Sequence, residues 1–472
     1  MSAPRRKVVL YNPHALFYTM PLPLLAVGAA LDPRRFEVRI VDGRLESEPI
    51  ARVLEEIGDA VCFGVTVHTG APIGDALRVS RAVKARRPDL PVVWGGWYPS
   101  LFPFDPLADP AIDVTIQGQG ETTFAEVLER LIAGEPPAGV NGSAYRSASG
   151  PIANPPRALR DVNEFPAHDY ESIPVERYFA AKGRRQLDYV ASMGCNFRCA
   201  FCADPLVYKR GWVVLEPRRV GEEIGALARR YAFTDLAFQD ETLFTDKRWV
   251  AELAERFLSG GARFTWTGTL RADQAMRLPD EVLEHAVRAG LRSVLMGIES
   301  GSQEMLDWLL KDITVEQVLG AADKCRRLGI GVIFPFIVGF PNESDASVRA
   351  TFDVMKRLRA MSPKFETPLF YYKPYPGSPI TEKFRESGYP LPSGMQEWVG
   401  FEFTDSSGPW VTDEQRRRIE RFKFYNRFAG GPQTALRAPL QRIARWRMRR
   451  DFYSFPIEKF LVDRIKPTPR LS

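Results

Sequence analysis

Apolar positions along the chain fall into two series of short strand-like runs separated by amphipathic stretches. In the first, residues 7–12, 36–41, 60–67, 91–94 and 113–116 read as strands, and 22–31, 50–57, 73–86 and 122–132 as helices. Residues 60–67 are almost continuously apolar, as expected of a strand covered on both faces. Repeated β–α alternation predicts a parallel, doubly wound sheet. Residues 134–185 are richer in Pro, Gly, Ser and Ala and read as a linker with short strands.

The second series predicts strands at 187–192, 235–238, 264–268, 293–298, 331–338 and 366–372. Helices are predicted at 220–231, 248–258, 280–289, 315–328 and 346–358. Six β/α repeats after a cysteine-bearing first loop predict a partial (β/α)6 barrel with its site at the C-terminal strand ends. The expected organisation is a Rossmann-like α/β domain over 1–135, a linker over 136–185, the barrel over 186–400 and a helical extension over 401–472.

Composition narrows this picture. The 472 residues are 45% hydrophobic and 26% charged, which fits a globular protein and excludes global disorder. The longest apolar stretches, 22–31 and 330–340, are well short of the roughly 20 residues a membrane-spanning helix needs. No small-residue cleavage site follows the N-terminus, so a cytoplasmic, reducing setting is expected, with cysteines as thiols or ligands. The net charge of +6 is uneven. Residues 411–472 hold 16 Lys/Arg and 6 Asp/Glu, a balance of +10, which leaves 48 against 52, or −4, for the body. The basicity belongs to the tail, and no nucleic-acid partner is expected.

The sharpest chemical signal is Cys195, Cys199 and Cys202, a CxxxCxxC after the first strand of the second series. Three thiolates on one loop can hold three irons of a 4Fe–4S cluster and leave the fourth open. Zinc would want a fourth protein ligand nearby, and no His lies close in sequence. Cys325 lies on the stripe Val318, Ala322, Cys325 and Cys62 in an apolar strand, so both read as core thiols.

CxxxCxxC with an aromatic residue, Phe201, before the third cysteine resembles the radical S-adenosylmethionine (SAM) superfamily, and the likeness extends over residues 187–380. It implies that the open iron chelates SAM and that one electron cleaves SAM to a 5′-deoxyadenosyl radical. An external donor of flavodoxin or ferredoxin type would supply that electron. The resemblance assigns Phe201 to adenine, Asp240 or Glu241 to the SAM amino group, and Gly339 to the adenine-contacting turn. Glu299 and Ser300 fall where relatives contact the ribose and methionine end, although both could cap the helix that follows. Arg271 could pair with the SAM carboxylate or form an ordinary surface salt bridge. Tyr371, Tyr372 and Lys373 follow the sixth strand, where each could handle a proton or pack the pocket wall.

The first domain carries three turns at strand ends: Thr66 with His68; Gly95, Gly96 and Ser100; and Gly118, Gly120 and Glu121. No P-loop lysine or GxGxxG is present. Upstream of a radical SAM core, these turns resemble the cobalamin-binding domain of cobalamin-dependent radical SAM enzymes. The resemblance implies that they line the corrin and the channel for its nucleotide tail. His14 occupies the offset of a cobalt-ligating His, but the Asp and Gly of DxHxxG are absent, so a lower face without a His ligand is expected. The implied reaction is C-methylation of an unactivated carbon. An oxidative cyclisation, as in the anaerobic Mg-protoporphyrin monomethyl ester cyclase, is the alternative, and a non-catalytic iron–sulfur electron carrier is a third reading.

Residues 415–450 interleave arginines with Phe422, Phe424, Tyr425, Phe428, Ile443 and Trp446. Such a stretch suits an anionic membrane surface. It suits equally a helix that packs by its apolar face while its arginines stay solvated. The tail favours a lipid-like small-molecule substrate over others.

Overall fold

The computed structural model describes residues 4–261, 263–401, 407–430 and 438–465. Strands β1 (Arg6–Asn12), β2 (Phe36–Asp42), β3 (Ala60–Thr66), β4 (Val92–Gly95), β5 (Val114–Ile116), β6 (Ser143–Ser147) and β7 (Gly150–Ala153) form one sheet in the order β2-β1-β3-β4-β5-β6-β7. The first five are parallel, and β6 and β7 extend the sheet in antiparallel fashion. Alternation along each strand explains the near-continuous apolar runs. Val8, Leu10, Cys62 and Val93 face one layer with Leu24 and Phe124, while Val9, Tyr11, Phe63 and Trp94 face the other with Ile73 and Val79.

The segment read as a linker therefore supplies two strands to this sheet. It also supplies a helix, Val175–Lys182, which ends on Gly183 at φ +64. The left-handed cap is a position glycine adopts without steric cost.

The second series contains β8 (Gln186–Tyr189), β9 (Ser192–Gly194), β10 (Trp212–Val214), β11 (Asp235–Phe238), β12 (Thr265–Thr269), β13 (Leu291–Leu295), β14 (Gly331–Ile333), β15 (Phe336–Val338), β16 (Phe365–Glu366) and β17 (Leu369–Tyr371). β8 pairs parallel with β11, β14 with β13 and β16, and β15 with β17. The runs 331–338 and 366–372 are each two strands, broken at Pro335 and Pro368. Proline has no N–H to give the ladder and interrupts it.

Two compact units emerge: Met1–Leu243 with Glu252–Trp266 and Pro374–Phe403, and Phe244–Ala251 with Thr267–Lys373 and Thr404–Ser472. The division cuts through the second series. In the first unit the chain returns late: Met395, Trp398 and Phe401 enter the core beneath the parallel sheet, and Val399 packs on Gly74. In the second, the helices Asp413–Ala429, Ala438–Arg449 and Ile457–Ile465 form the tail. Phe422 stacks on Phe352 at 3.8 Å. Among the described residues, no helix is long and apolar enough to cross a membrane.

Candidate cofactor site

The cysteine loop is closed by an antiparallel pair, with Gly194 of β9 opposite Trp212 of β10. Gly194 has φ +84, a left-handed value that starts the loop. Cys199 is buried, while Cys195 and Cys202 are half-buried. Cys202 N donates to the Cys199 carbonyl at 3.2 Å, and the Cys202 thiol donates to Asp204 at 3.5 Å. Among the described residues no three His, Cys, Asp or Glu side chains are gathered closely enough to hold a metal ion. The fit to an iron–sulfur cluster rests on the donor set, three soft thiols on one short loop.

Asp240 follows β11 and is buried. Its carboxylate accepts from Ala191 N at 3.1 Å, Ser192 N at 2.5 Å and Ser192 Oγ at 2.5 Å. These bonds fix the approach to the cysteines, and the Asp240 carboxylate faces that backbone.

Glu241 differs: its Oε2 is buried and has no hydrogen-bond partner. Burial, then the nearby Asp204 charge, pushes the Glu241 carboxyl up to about 8. Burial also lifts Asp204 and Asp240, each to about 6, and raises Glu121. Desolvation disfavours the charge on each of these acids, and an arriving cation would favour it again, so this neighbourhood suits a cationic ligand.

The glycine turns of the sheet lie against this loop within the same unit. The Trp97 and Tyr208 rings meet edge to face at 5.9 Å. A Cβ on Gly118 would stand 3.9 Å from the Val207 carbonyl oxygen. Gly96 has φ +93, and a Cβ there would meet Thr66 Oγ1 and Val67 N, each at 2.9 Å. Ser100 Oγ donates to the Gly96 carbonyl at 2.7 Å and accepts from Gly118 N at 2.9 Å, tying two turns together. A Cβ on Gly95 would touch only Ile116, at 3.9 Å. Gly120 caps the helix that opens with Glu121. Thr66 Oγ1 is buried and unpartnered. An orphaned hydroxyl beside side-chain-free turns fits a large planar ligand with polar edges.

His68 keeps an open surface although protein surrounds it. That enclosure, with Arg44 secondary, lowers its pKa to about 4, so the ring is neutral near pH 7. His14 is exposed, and only its backbone N–H is engaged, with Asp75 at 2.8 Å.

Tyr375 closes the segment 370–375, in which the sequence reading singles out Tyr371, Tyr372 and Lys373. It is 37% exposed, packs edge-on to Phe401 at 6.2 Å, and feels the charges of Cys202 and Asp204. Burial above all, then those neighbours, raises its pKa, which keeps the phenol protonated. Its segment is anchored where Ile380 N donates to the Ala200 carbonyl at 3.1 Å, and Gly377 packs on Leu206 and Leu101. Tyr375 directly precedes the turn Pro376-Gly377, beyond the end of β17.

The second unit holds the remaining residues. Tyr371 and Tyr372 are buried: Lys423 lies 5.0 Å from the Tyr371 ring, and Tyr372 stacks on Phe340 at 4.4 Å. Lys373 is half-buried. Glu299 is buried, at φ +72, and paired with Lys311 at 2.8 Å. A non-glycine residue there costs on the order of 1–2 kcal/mol. Ser300 hydrogen-bonds Thr351 at 3.2 Å and accepts from Ser302 N; the following helix is capped by Ser302, not by Glu299 or Ser300. Arg271 is buried, donating to Asp273 at 2.9 Å and to the Lys311 carbonyl at 2.6 Å. Gly339, at φ +76, donates to Glu343 at 2.6 Å and accepts from Trp410 Nε1 at 2.7 Å. Phe201 is half-buried on the cysteine loop of the first unit.

A match described as the Radical SAM superfamily covers residues 189–355, and one described as the B12 binding domain covers residues 9–128. The Uncharacterized methyltransferase PH0819 of Pyrococcus horikoshii is 30% identical over 364 residues, 76% of this chain and 77% of that protein. The anaerobic magnesium-protoporphyrin IX monomethyl ester cyclase of Synechocystis sp. is 26% identical over 298 residues, 62% of this chain and 59% of the relative. The solved structure of the radical S-adenosylmethionine methyltransferase TsrM from Kitasatospora setae, with tryptophan substrate and a SAM analogue, aligns at TM-score 0.73. It covers 88% of each chain at 19% identity, a likeness of fold.

Proposed function

Because the chain belongs to the cobalamin-dependent radical SAM methyltransferase family, we propose that it C-methylates an unactivated carbon of a small, lipid-like molecule. The observation that carries this reading is the meeting of the cysteine loop with the glycine turns inside one unit, through Tyr208 against Trp97 and Val207 beside Gly118. When bound, the cluster supplies the electron that cleaves SAM, and cobalamin supplies the methyl group. The electron would come from a flavodoxin- or ferredoxin-type donor, and the basic tail would bring the enzyme to a membrane surface.

Cys195, Cys199 and Cys202 bind iron. Asp240 positions their loop. Glu241, with its unpartnered oxygen, would accept the SAM ammonium, and Phe201 would receive adenine. Arg271, Glu299 and Ser300 act by holding the strand ends of their own unit, since their polar groups are engaged there. Thr66, Gly95, Gly96, Ser100, Gly118, Gly120 and Glu121 form the corrin cradle, and His68 is a neutral neighbour. Tyr375, not the buried Tyr371 and Tyr372, faces substrate and holds a proton at its phenol oxygen.

Anaerobic reconstitution with iron, sulfide, cobalamin and methyl-labelled SAM tests this. Formation of 5′-deoxyadenosine that is lost in Cys199→Ala is expected, with label passing to cobalamin. A full cluster that yields no 5′-deoxyadenosine sinks the radical reading. Deoxyadenosine without label on cobalamin selects the oxidative cyclase instead, the reading that the Synechocystis relative favours.

A further inference from the structure

The tail carries a surface that packing alone does not explain. On the helix Ala438–Arg449, Gln441, Ala444 and Met448 turn inward. The opposite stripe exposes Arg442, Ile443, Trp446 and Arg449, and Arg450 continues it. Water would be met more cheaply by polar side chains than by Ile443 and Trp446, which is 48% exposed.

The loop that follows repeats this arrangement. Buried Arg447 donates to the carbonyls of Phe452, Ser454 and Phe455 and pairs with Glu458. The loop's backbone is thus satisfied inward, while Phe452 and Phe455 point outward, Phe455 at 77% exposure. Phe455 also adopts φ +50, a left-handed conformation that a bulky residue avoids. Strain that displays an aromatic ring to solvent points to a partner for that ring.

The charge around these rings is one-sided. Asp451 is drawn to Lys356 at 2.6 Å and Glu458 to Arg447 at 3.0 Å, so the local acids are neutralised. Arg442, Arg449 and Arg450 make no ion pair among the described residues; Arg450 lies over the Trp446 ring at 5.7 Å. A cationic stripe with interleaved, rigidly presented aromatics matches the interface of an anionic bilayer, with rings at the headgroup level and arginines on phosphates.

We propose that this stripe and the 452–455 loop form a docking surface for anionic lipid, placing the enzyme on the membrane that holds its substrate. The inference deepens the reading of a membrane-resident substrate, yet its test needs no turnover, so the two can fail separately. Full-length protein is sedimented with vesicles of phosphatidylcholine alone or mixed equally with phosphatidylglycerol, at low and high salt. Binding to the anionic vesicles that weakens with salt is expected. Replacing all three arginines with Gln should weaken it by about a hundredfold, roughly fivefold for each. Trp446→Ser and Phe455→Ser should each weaken it by about tenfold with thermal unfolding unchanged, because both side chains are exposed. Equal binding to neutral vesicles, or none to anionic ones, overturns the proposal. So does loss of a dimer, rather than of vesicle binding, in Trp446→Ser and Phe455→Ser, which would make the surface a contact between copies of this chain.

Discussion

Asp240 offers a test of how the cysteine loop is held. Its Oδ1 accepts from two backbone N–H groups and one hydroxyl, at Ala191 and Ser192. In Asp240→Ala these donors lose their acceptor inside the protein. Two stranded buried N–H groups cost about 1–3 kcal/mol each, so the approach to Cys195 is destabilised by roughly 2–6 kcal/mol. Asp240→Asn keeps an oxygen where Oδ1 stands. Burial already disfavours the charge, lifting the carboxyl to about 6, so the neutral amide should cost little. The assay is iron and sulfide content after anaerobic reconstitution, followed by the change in the reduced cluster's EPR signal on adding SAM. Asp240→Ala should load a small fraction of the wild-type cluster, whereas Asp240→Asn should load fully and respond to SAM. Full loading of Asp240→Ala would refute the positioning argument, and Asp240→Asn that loads fully but no longer responds to SAM would make Asp240 a SAM ligand.

Two further expectations follow from the same geometry. Tyr375→Phe should leave 5′-deoxyadenosine formation near wild type and lower labelled product by tenfold or more, the scale of losing a positioned proton donor; equal product yields would remove Tyr375 from the site. Burial lifts Glu343 from 4.5 to about 7 despite bonds from Gly339 N, Phe340 N and Ser347 Oγ. The folded state therefore binds its proton more tightly than the unfolded one, and stability should fall by about 3 kcal/mol as pH rises from 4.5 to 7. Denaturant unfolding of Glu343→Gln should lack that fall, and an unchanged pH profile would refute the assignment.

What the sequence made legible was whatever is encoded locally. The cysteine loop spans eight positions, so its ligand set is visible without a fold. The parallel strands announce themselves because burial on both faces leaves no polar alternation. Proline breaks at Pro335 and Pro368 were written in the chain but outweighed by the apolar residues around them. The helix Val175–Lys182 was hidden by a segment rich in turn residues. Tyr375 was legible only as one of several Tyr and Lys residues after β17: its neighbours Cys202 and Asp204 are distant in sequence, and alternation in β17 buries Tyr371. Glu299 and Ser300 were legible as polar residues at a strand end, but the partners that engage them, Lys311 and Thr351, lie farther along the chain.

The late return of Met395, Trp398 and Phe401 to the first sheet has a consequence for biosynthesis. These side chains complete a core whose first five strands end at Ile116. At roughly 5–20 residues per second, the ribosome needs on the order of 15–60 s to travel from that strand to Phe401. Throughout that interval one face of the nascent sheet lacks its final apolar cover. The emerging N-terminal half is therefore expected to draw chaperone protection, and that half expressed alone is expected to be poorly soluble.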